Sequence, residues 1–241
     1  MHFFLIDDLK GQTTCLDRES SHHAIRVLRL RHGQRIHITN GLGLMAEAEI
    51  TGSDPDRCGI QIIRLQHQYN KRPYHLHVAI APTKSADRFE WFLEKATEIG
   101  IDAVTPILCD RSERKSVRHD RSIKIIQTAM LQAGHAFQPV LNAMIPLREF
   151  LSERNHIPMY MAHCKSEQTN HLVHMIRPGE DGIVLIGPEG DFSDQEIDFA
   201  RKQGARDTSL GISRLRTETA GLVACHTYGI MNQSRFREKL T

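Results

Sequence analysis

Two acids sit inside a glycine-rich turn in the run Ile183-Val184-Leu185-Ile186-Gly187-Pro188-Glu189-Gly190-Asp191-Phe192-Ser193. An apolar strand runs into this turn, and Ser193 with Glu196 forms an S-x-x-E capping box that opens a helix. In open α/β sheets, ligands bind at the carboxyl ends of strands, where such turns lie. Glycine at Gly187 and Gly190 lets backbone amides approach a ligand closely. A phosphate cradle does not fit, because Glu189 and Asp191 repel phosphate and no Lys-Ser/Thr pair follows. Hydroxyls, an amino group or a cationic ligand suit the turn. A tight strand–helix connection with solvated acids is the plainer alternative.

A second run, Ser209-Leu210-Gly211-Ile212-Ser213-Arg214-Leu215-Arg216-Thr217-Glu218-Thr219-Ala220, leads from a short strand through a glycine turn to two arginines. A helix is predicted from near Thr217, with Ala220, Val223, Ala224, Ile230 and Met231 at helical spacing. Thr217 suits an N-cap, and Glu218 suits the positive end of the helix dipole. Capping alone accounts for Thr217 and Glu218. An ion pair with a nearby acid accounts equally for Arg214 and Arg216.

The elements that must position these residues fall into two groups. Phe3–Ile6, Arg35–Thr39, Met45–Ile50 and Cys58–Leu65 read as short strands bounded by turn residues. One helix interrupts them, capped by Ser20 or Ser21, with Ile25 and Leu28 on its apolar face. A small β-barrel with an inserted helix, which leaves no sheet edge free, is the expected closure. The polar stretch from Gln66 to Pro73 is read as a linker. Beyond it come a strand at His75–Ala81 and a helix at Arg88–Ile99 with Phe89, Phe92, Leu93, Ala96 and Ile99 on one face, ended by Gly100. Val104–Leu108, Pro158–Ala162 and Ile183–Ile186 are further strands, with a helix over about Asp120–Gly134. This alternation predicts an α/β domain with a mostly parallel sheet. The expected division is 1–70 for the barrel and 74–241 for the α/β domain.

The strand with its Gly-Pro-Glu-Gly turn, followed by Leu-Gly-x-x-x-Leu-Arg-Thr-Glu-Thr-Ala, resembles the RsmE family of SPOUT-class methyltransferases. His23-Ala24-Ile25-Arg26-Val27-Leu28-Arg29 with Gly33 resembles that family's PUA-like N-terminal segment. Lys84, Arg88 and Lys95-Ala96-Thr97-Glu98-Ile99-Gly100 resemble its first catalytic-domain helix, and Gln132 and Pro139 fit its Gln…Pro pattern. The resemblance implies methylation of uridine N3 in 16S rRNA, in the decoding region of the 30S subunit. It also implies a C-terminal trefoil knot, S-adenosylmethionine as cofactor and a homodimer. Periodicity alone would never suggest a knot. By the same resemblance, Leu185, Gly187, Glu189 and Gly190 line one side of the cofactor, and Leu210, Gly211, Leu215, Arg216 and Thr217 the other. Arg216 is expected to stabilise charge on a uracil oxygen or to position the RNA backbone, with Glu218 or Glu189 assisting proton loss. Three positions depart from the family pattern. Asp191 replaces a glycine, Ser213-Arg214 replaces Arg-Ile, and Ala133-Gly134-His135 stands where a serine and an arginine are usual. Asp191 is expected to narrow cofactor access.

Net charge is only +2 over 241 residues, so an RNA surface must be a local patch. From Arg18 to Arg35 five arginines face one acid, and from Asp110 to Lys124 six basic residues face three acids. His23, Arg26, Arg29 and Arg31 in the first unit, and Lys84, Arg88, Arg111 and Arg114 in the second, are the expected RNA contacts. Solvated surface is the alternative for both clusters. Fifteen scattered histidines form no metal-binding spacing, so no metal is expected. Five widely spaced cysteines fit reduced thiols. No apolar run approaches the roughly 18 residues of a membrane span, and the apolar start is cut short by Asp7-Asp8. A cytoplasmic protein with no membrane partner is expected. The competing functions are a methylase of a ribose 2′-hydroxyl or a tRNA base, and a non-catalytic RNA-binding assembly factor.

Overall fold

The computed structural model describes residues 2–6, 9, 11–152, 156–165 and 170–238, with side chains as far as 233. Asp7 and Asp8, which end the apolar start of the chain, lie outside them. Two compact units are present, one through Lys71 together with Gln127–Gln138, the other comprising Arg72–Ile126 and the chain from Pro139 onward.

In the first unit, β1 (Phe3–Leu5), β2 (Thr13–Cys15), α1 (Arg18–His22), β3 (Arg35–Thr39), β4 (Met45–Ile50) and β5 (Gly59–Gln66) follow one another. The sheet order is β1-β3-β4-β5-β2, with β1 and β3 parallel and the remaining pairs antiparallel. The register sets Ile36 opposite Ala48 and Ile38 opposite Ala46, all fully buried. Strand alternation puts these residues on one face, where they pack with Phe4, Leu16 and Ile60. Ring closure, expected from the sequence, is not seen. Among the described residues β1 and β2 form the two ends of the order, with no pairing between them. The helix cap also differs. Asp17 caps α1 by accepting from the Ser20 N–H at 2.8 Å. Ser21 is instead buried, its hydroxyl donating to the Leu16 carbonyl and accepting from the Cys58 N–H. Beyond α1 the chain continues as a π-helical turn over His23–Val27, closed by the Leu28 N–H on the His23 carbonyl.

The second unit contains β6 (Leu76–Ile80), α2 (Ala86–Ile99), β7 (Ala103–Leu108), α3 (His119–Ala133), β8 (Val140–Leu141) and β9 (Ile145–Pro146). It goes on with α4 (Leu147–Ser152), β10 (Met159–Ala162), β11 (Gly182–Ile186), α5 (Asp194–Lys202), β12 (Arg206–Thr208) and α6 (Thr217–Glu238). The last residues of α3 belong to the first unit. The strands form an all-parallel sheet ordered β12-β10-β11-β6-β7-β8, with β9 pairing β7. Both faces are covered, as a parallel sheet requires. Leu76, Val78, Ile80, Val184 and Ile186 point to the face that packs Phe92 and Leu93 of α2 and Ala224, Cys225 and Tyr228 of α6. Ala79, Ala81, Ile183 and Leu185 point the other way, against α4 and α5. α2 buries Phe89, Phe92, Leu93 and Ala96 and ends at Gly100 with φ 112°, whereas Ile99 is exposed at its rim. On α6 the buried stripe is Ala224, Cys225 and Tyr228, and Ile230 is exposed. No described helix is long and apolar enough to cross a membrane. The five cysteines are unpaired, with Cys58, Cys109 and Cys225 buried.

His77 on β6 carries a pH dependence. Its Nε2 lies 2.7 Å from the Thr105 hydroxyl, which already accepts from the Asn142 amide at 2.8 Å. The hydroxyl proton is thus available to a neutral imidazole. Burial, with His75 adding to it, pushes the His77 pKa down from 6.5 to about 4. The unfolded chain then binds the extra proton first, so stability is present above pH 6.5 and is lost as pH falls towards 4. The loss reaches up to about 3 kcal/mol. Thermal unfolding between pH 7 and 4 checks this: His77→Gln is expected to flatten the profile, and an unchanged slope would refute it.

Candidate active site

The turns that follow β10, β11 and β12 meet at the carboxyl edge of the sheet and, with the start of α6, enclose a cavity of about 750 Å³. This lies within the roughly 300–1,000 Å³ of small-molecule sites. The wall alternates apolar groups (Ile186, Pro188, Leu210, Leu215, Ala220) with polar ones (His163, Glu189, Asp191, Arg214, Arg216).

The β11 turn is pinned from several sides. A Cβ at Gly187 would stand 3.0 Å from the buried Phe192 ring, so a side chain there would press on that ring and glycine suits the fold of the turn over it. The capping box is complete: the Ser193 hydroxyl accepts from the Glu196 N–H, and Glu196 accepts from the Ser193 N–H. Glu196 is buried, and its other oxygen accepts from the Asp110 N–H at 2.8 Å. The Arg111 guanidinium donates to the Gly190 carbonyl at 2.9 Å. Glu189 accepts from the Lys84 N–H at 2.9 Å, so one of its oxygens is already engaged.

The β12 turn closes onto this one. The Thr217 hydroxyl donates to the Gly187 carbonyl at 3.0 Å, joining the two runs singled out by sequence. Thr217 is thus the first residue of α6 rather than the cap before it. Arg214 reaches the Glu189 carbonyl at 3.4 Å. Arg216 lines the cavity, is exposed, and its guanidinium makes no hydrogen bond or ion pair among the described residues. Ile212 at the tip is fully exposed. Glu218 is buried: Oε1 lies 3.8 Å from the Arg88 Nε, and Oε2 has no partner among the described residues.

The β10 turn supplies a histidine that sequence reasoning missed. The His163 side chain is fully buried, with Nε2 3.3 Å from an Asp207 oxygen and Nδ1 accepting from the Lys165 N–H at 3.2 Å. Burial pushes the Asp207 carboxyl up, but hydrogen bonds from Arg201 and His163 outweigh it and hold it below the ordinary value. The usable signal was positional: His163 and Cys164 follow a buried strand beside β11, at the same sheet edge.

Of the residues proposed from sequence, Gly187, Glu189, Leu210, Gly211, Leu215, Arg216 and Thr217 line the cavity. Leu185 does not, because strand alternation turns its side chain into the core against α5, and Ile186 takes its place. Gly190 faces Arg111 instead, and Glu218 faces Arg88 behind the wall. The second-unit cations are engaged by the protein. Arg114 donates to the Thr83 and Lys84 carbonyls, and Arg111 holds the β11 turn. Lys84 pairs with Glu113 at 2.8 Å, whose hydrogen bond and charge raise the Lys84 pKa. In the first unit, His23, Arg26, Arg29 and Arg31 are all exposed. Among the described residues no group of three or more His, Cys, Asp or Glu side chains is arranged to hold a metal.

Residues 70–229 match the family model for an RNA methyltransferase domain, and residues 16–63 match that for an RNA methyltransferase PUA domain. A probable rRNA methyltransferase from Porphyromonas gingivalis has a crystal structure that is 33% identical, with a TM-score of 0.90 over 98% of this chain and 100% of that one. The ribosomal RNA small subunit methyltransferase E of Neisseria gonorrhoeae, crystallised bound to S-adenosyl methionine, is 25% identical. Its TM-score is 0.87, over 96% of this chain and 98% of that one. The Bacillus subtilis protein of the same name is 25% identical over 237 residues, 89% of each chain. Domain matches in both units and near-complete coverage by these relatives establish that the chain belongs to the RsmE family of RNA methyltransferases.

Proposed function

We propose that the protein methylates N3 of a uridine in 16S rRNA, in the decoding region of the 30S subunit, using S-adenosylmethionine. The observation that carries this reading is the joining of the β11 and β12 turns around one cavity through Thr217 and Gly187. The cavity fits the cofactor's chemistry. Apolar Leu210, Leu215 and Ala220 suit a purine, and Glu189, with one carboxylate oxygen still open, suits an ammonium group. When bound, the cofactor supplies an electrophilic methyl group. Calorimetry tests this part: micromolar binding of S-adenosylmethionine is expected, and absence of binding favours a non-catalytic RNA-binding factor.

The chain's own residues would do the rest. N3 of uridine carries a proton at neutral pH and lies on the Watson–Crick edge, so the base must be unpaired or extruded. Alignment and stabilisation of the uridine anion then supply most of the catalysis. Arg216, unpaired at the cavity wall, sets a charged donor where a uracil oxygen gains charge. Glu189, in the wall, is the carboxylate placed to take the N3 proton, whereas Glu218, behind the wall beside Arg88, reaches it only if the wall moves.

The placement of β11 between β6 and β10, with α6 returning across β6 and β11, supports reading the C-terminal segment as the trefoil knot of a SPOUT-class enzyme. The homodimer is read from the family resemblance, and a fully exposed Ile212 at the tip of the β12 turn is a side chain that such an interface would cover. A cytoplasmic location follows from the substrate.

First-contact RNA binding is assigned to Arg26, Arg29 and Arg31 with His23, whose side chains are exposed in the first unit. Arg29 is held at φ 55°, a left-handed conformation whose cost arginine and alanine share, and the test leaves it in place. Arg26→Ala with Arg31→Ala is the pair to change. It is expected to weaken rRNA binding and reduce the slope of log K against log salt by about one per residue. An unchanged slope, measured by filter binding over a salt series, would remove this assignment.

A further inference from the structure

Asp191 is the residue at which this chain leaves its family's glycine pattern, and its backbone keeps a left-handed conformation at φ 63°. Aspartate tolerates that region better than most side chains, so conformation alone assigns it no role. Its hydrogen bonds do. Oδ1 accepts from the Phe192 N–H at 2.8 Å, and Oδ2 accepts from the Cys164 N–H at 3.1 Å. The second bond crosses from the turn after β11 to the turn after β10, its neighbour in the sheet. Asp191 and Cys164 both line the cavity. Phe192, held by the first bond, packs under Gly187, whose carbonyl receives Thr217. Lys165 and Asp194, 2.5 Å apart, form a second tie between the same two turns, but Asp194 is 83% exposed.

We infer that Asp191 is a clasp across the mouth of the cavity, a positioning residue that sets how tightly the cofactor is held; this rests on the S-adenosylmethionine reading. The clasp needs a carboxylate because both oxygens accept from N–H groups, and an amide offers one acceptor. It acts by fixing the turns and not by its charge on the ligand.

The test compares wild type with Asp191→Gly, which suits the backbone, and Asp191→Asn, which keeps one acceptor. Calorimetry measures S-adenosylmethionine and S-adenosylhomocysteine, which lacks the sulfonium charge. Hydrogen exchange over residues 163–165 is followed without ligand. Asp191→Gly is expected to weaken both ligands by about tenfold, the scale of one lost charge-assisted hydrogen bond, with their ratio preserved. Asp191→Asn should fall between. The Cys164 amide should exchange at least about tenfold faster in the glycine variant. Loss of affinity for S-adenosylmethionine alone would overturn the clasp in favour of a charge contact. Unchanged affinities, or unchanged exchange at Cys164, would overturn it as well. Wild-type protein that binds neither ligand would refute the cofactor reading, whereas exchange at Cys164 decides the clasp by itself.

Discussion

Arg216→Ala is expected to slow methyl transfer to rRNA by about 100-fold or more, the cost of losing one preorganised donor at a developing oxyanion. S-adenosylmethionine affinity should stay within about threefold, under 1 kcal/mol. The expectation follows from where the side chain stands. Arg216 lines the cavity, its carbonyl is tied into α6 by the Ala220 N–H, and its guanidinium has no acid partner among the described residues. Neighbouring cations differ: Arg214 reaches the Glu189 carbonyl, Arg111 holds Gly190, and Arg88 lies beside Glu218. Removing Arg216 therefore takes away a free charge without opening the cavity wall. Arg216→Lys should recover only part of the rate, since an ammonium lacks the planar pair of donors. Single-turnover kinetics at saturating cofactor separate the two effects. Unchanged turnover would show that Arg216 has no part in the chemistry, and a large loss of cofactor affinity would make it a cofactor ligand instead.

Gly182→Ala is expected to destabilise the protein by about 3 kcal/mol, the upper end of overpacking costs. For a chain of this size that lowers Tm by roughly 6–12 °C. A Cβ at Gly182 would stand 1.6 Å from the Tyr228 hydroxyl and 2.6 Å from its Cζ. Tyr228 is fully buried and packs against Tyr74, so the ring has nowhere to go. This is the joint between β11 and α6, the two elements that carry the paired site turns. Adding Tyr228→Phe should recover part of the loss by removing the nearest atom. Calorimetric melting of the two variants decides it, and a Gly182→Ala protein melting within about 2 °C of wild type, under 1 kcal/mol, would contradict the packing described.

Local periodicity made much of the second unit legible. Strands at Val104–Leu108 and Ile183–Ile186 lie within one residue of β7 and β11, because two-sided burial makes a parallel strand a continuous apolar run. The Ser193–Glu196 box and the Gly100 terminus were legible for the same local reason. Features set by distant partners were not. Asp17, rather than Ser20 or Ser21, caps α1, because Ser21 is taken by Cys58, 37 residues away. Leu185 and Ile186 are both buried, and only the sheet's pleat decides which one reaches the cavity. Arg111 read as part of a free basic run, yet its partner Gly190 lies 79 residues on. His163 carries no motif, and its place in the site comes from β10 lying beside β11. The helix α3 starts in the second unit, yet its residues from Gln127 onward, with the chain as far as Gln138, cluster with the first, which no local pattern encodes.

The most direct test of the proposed activity is methyl transfer from labelled S-adenosylmethionine to 30S subunits and to naked 16S rRNA, with the product mapped by nuclease digestion and mass spectrometry. The expected result is one N3-methyluridine in the decoding region, absent with the Arg216→Ala protein. A label on a ribose 2′-hydroxyl, on tRNA, or on no RNA at all would contradict it.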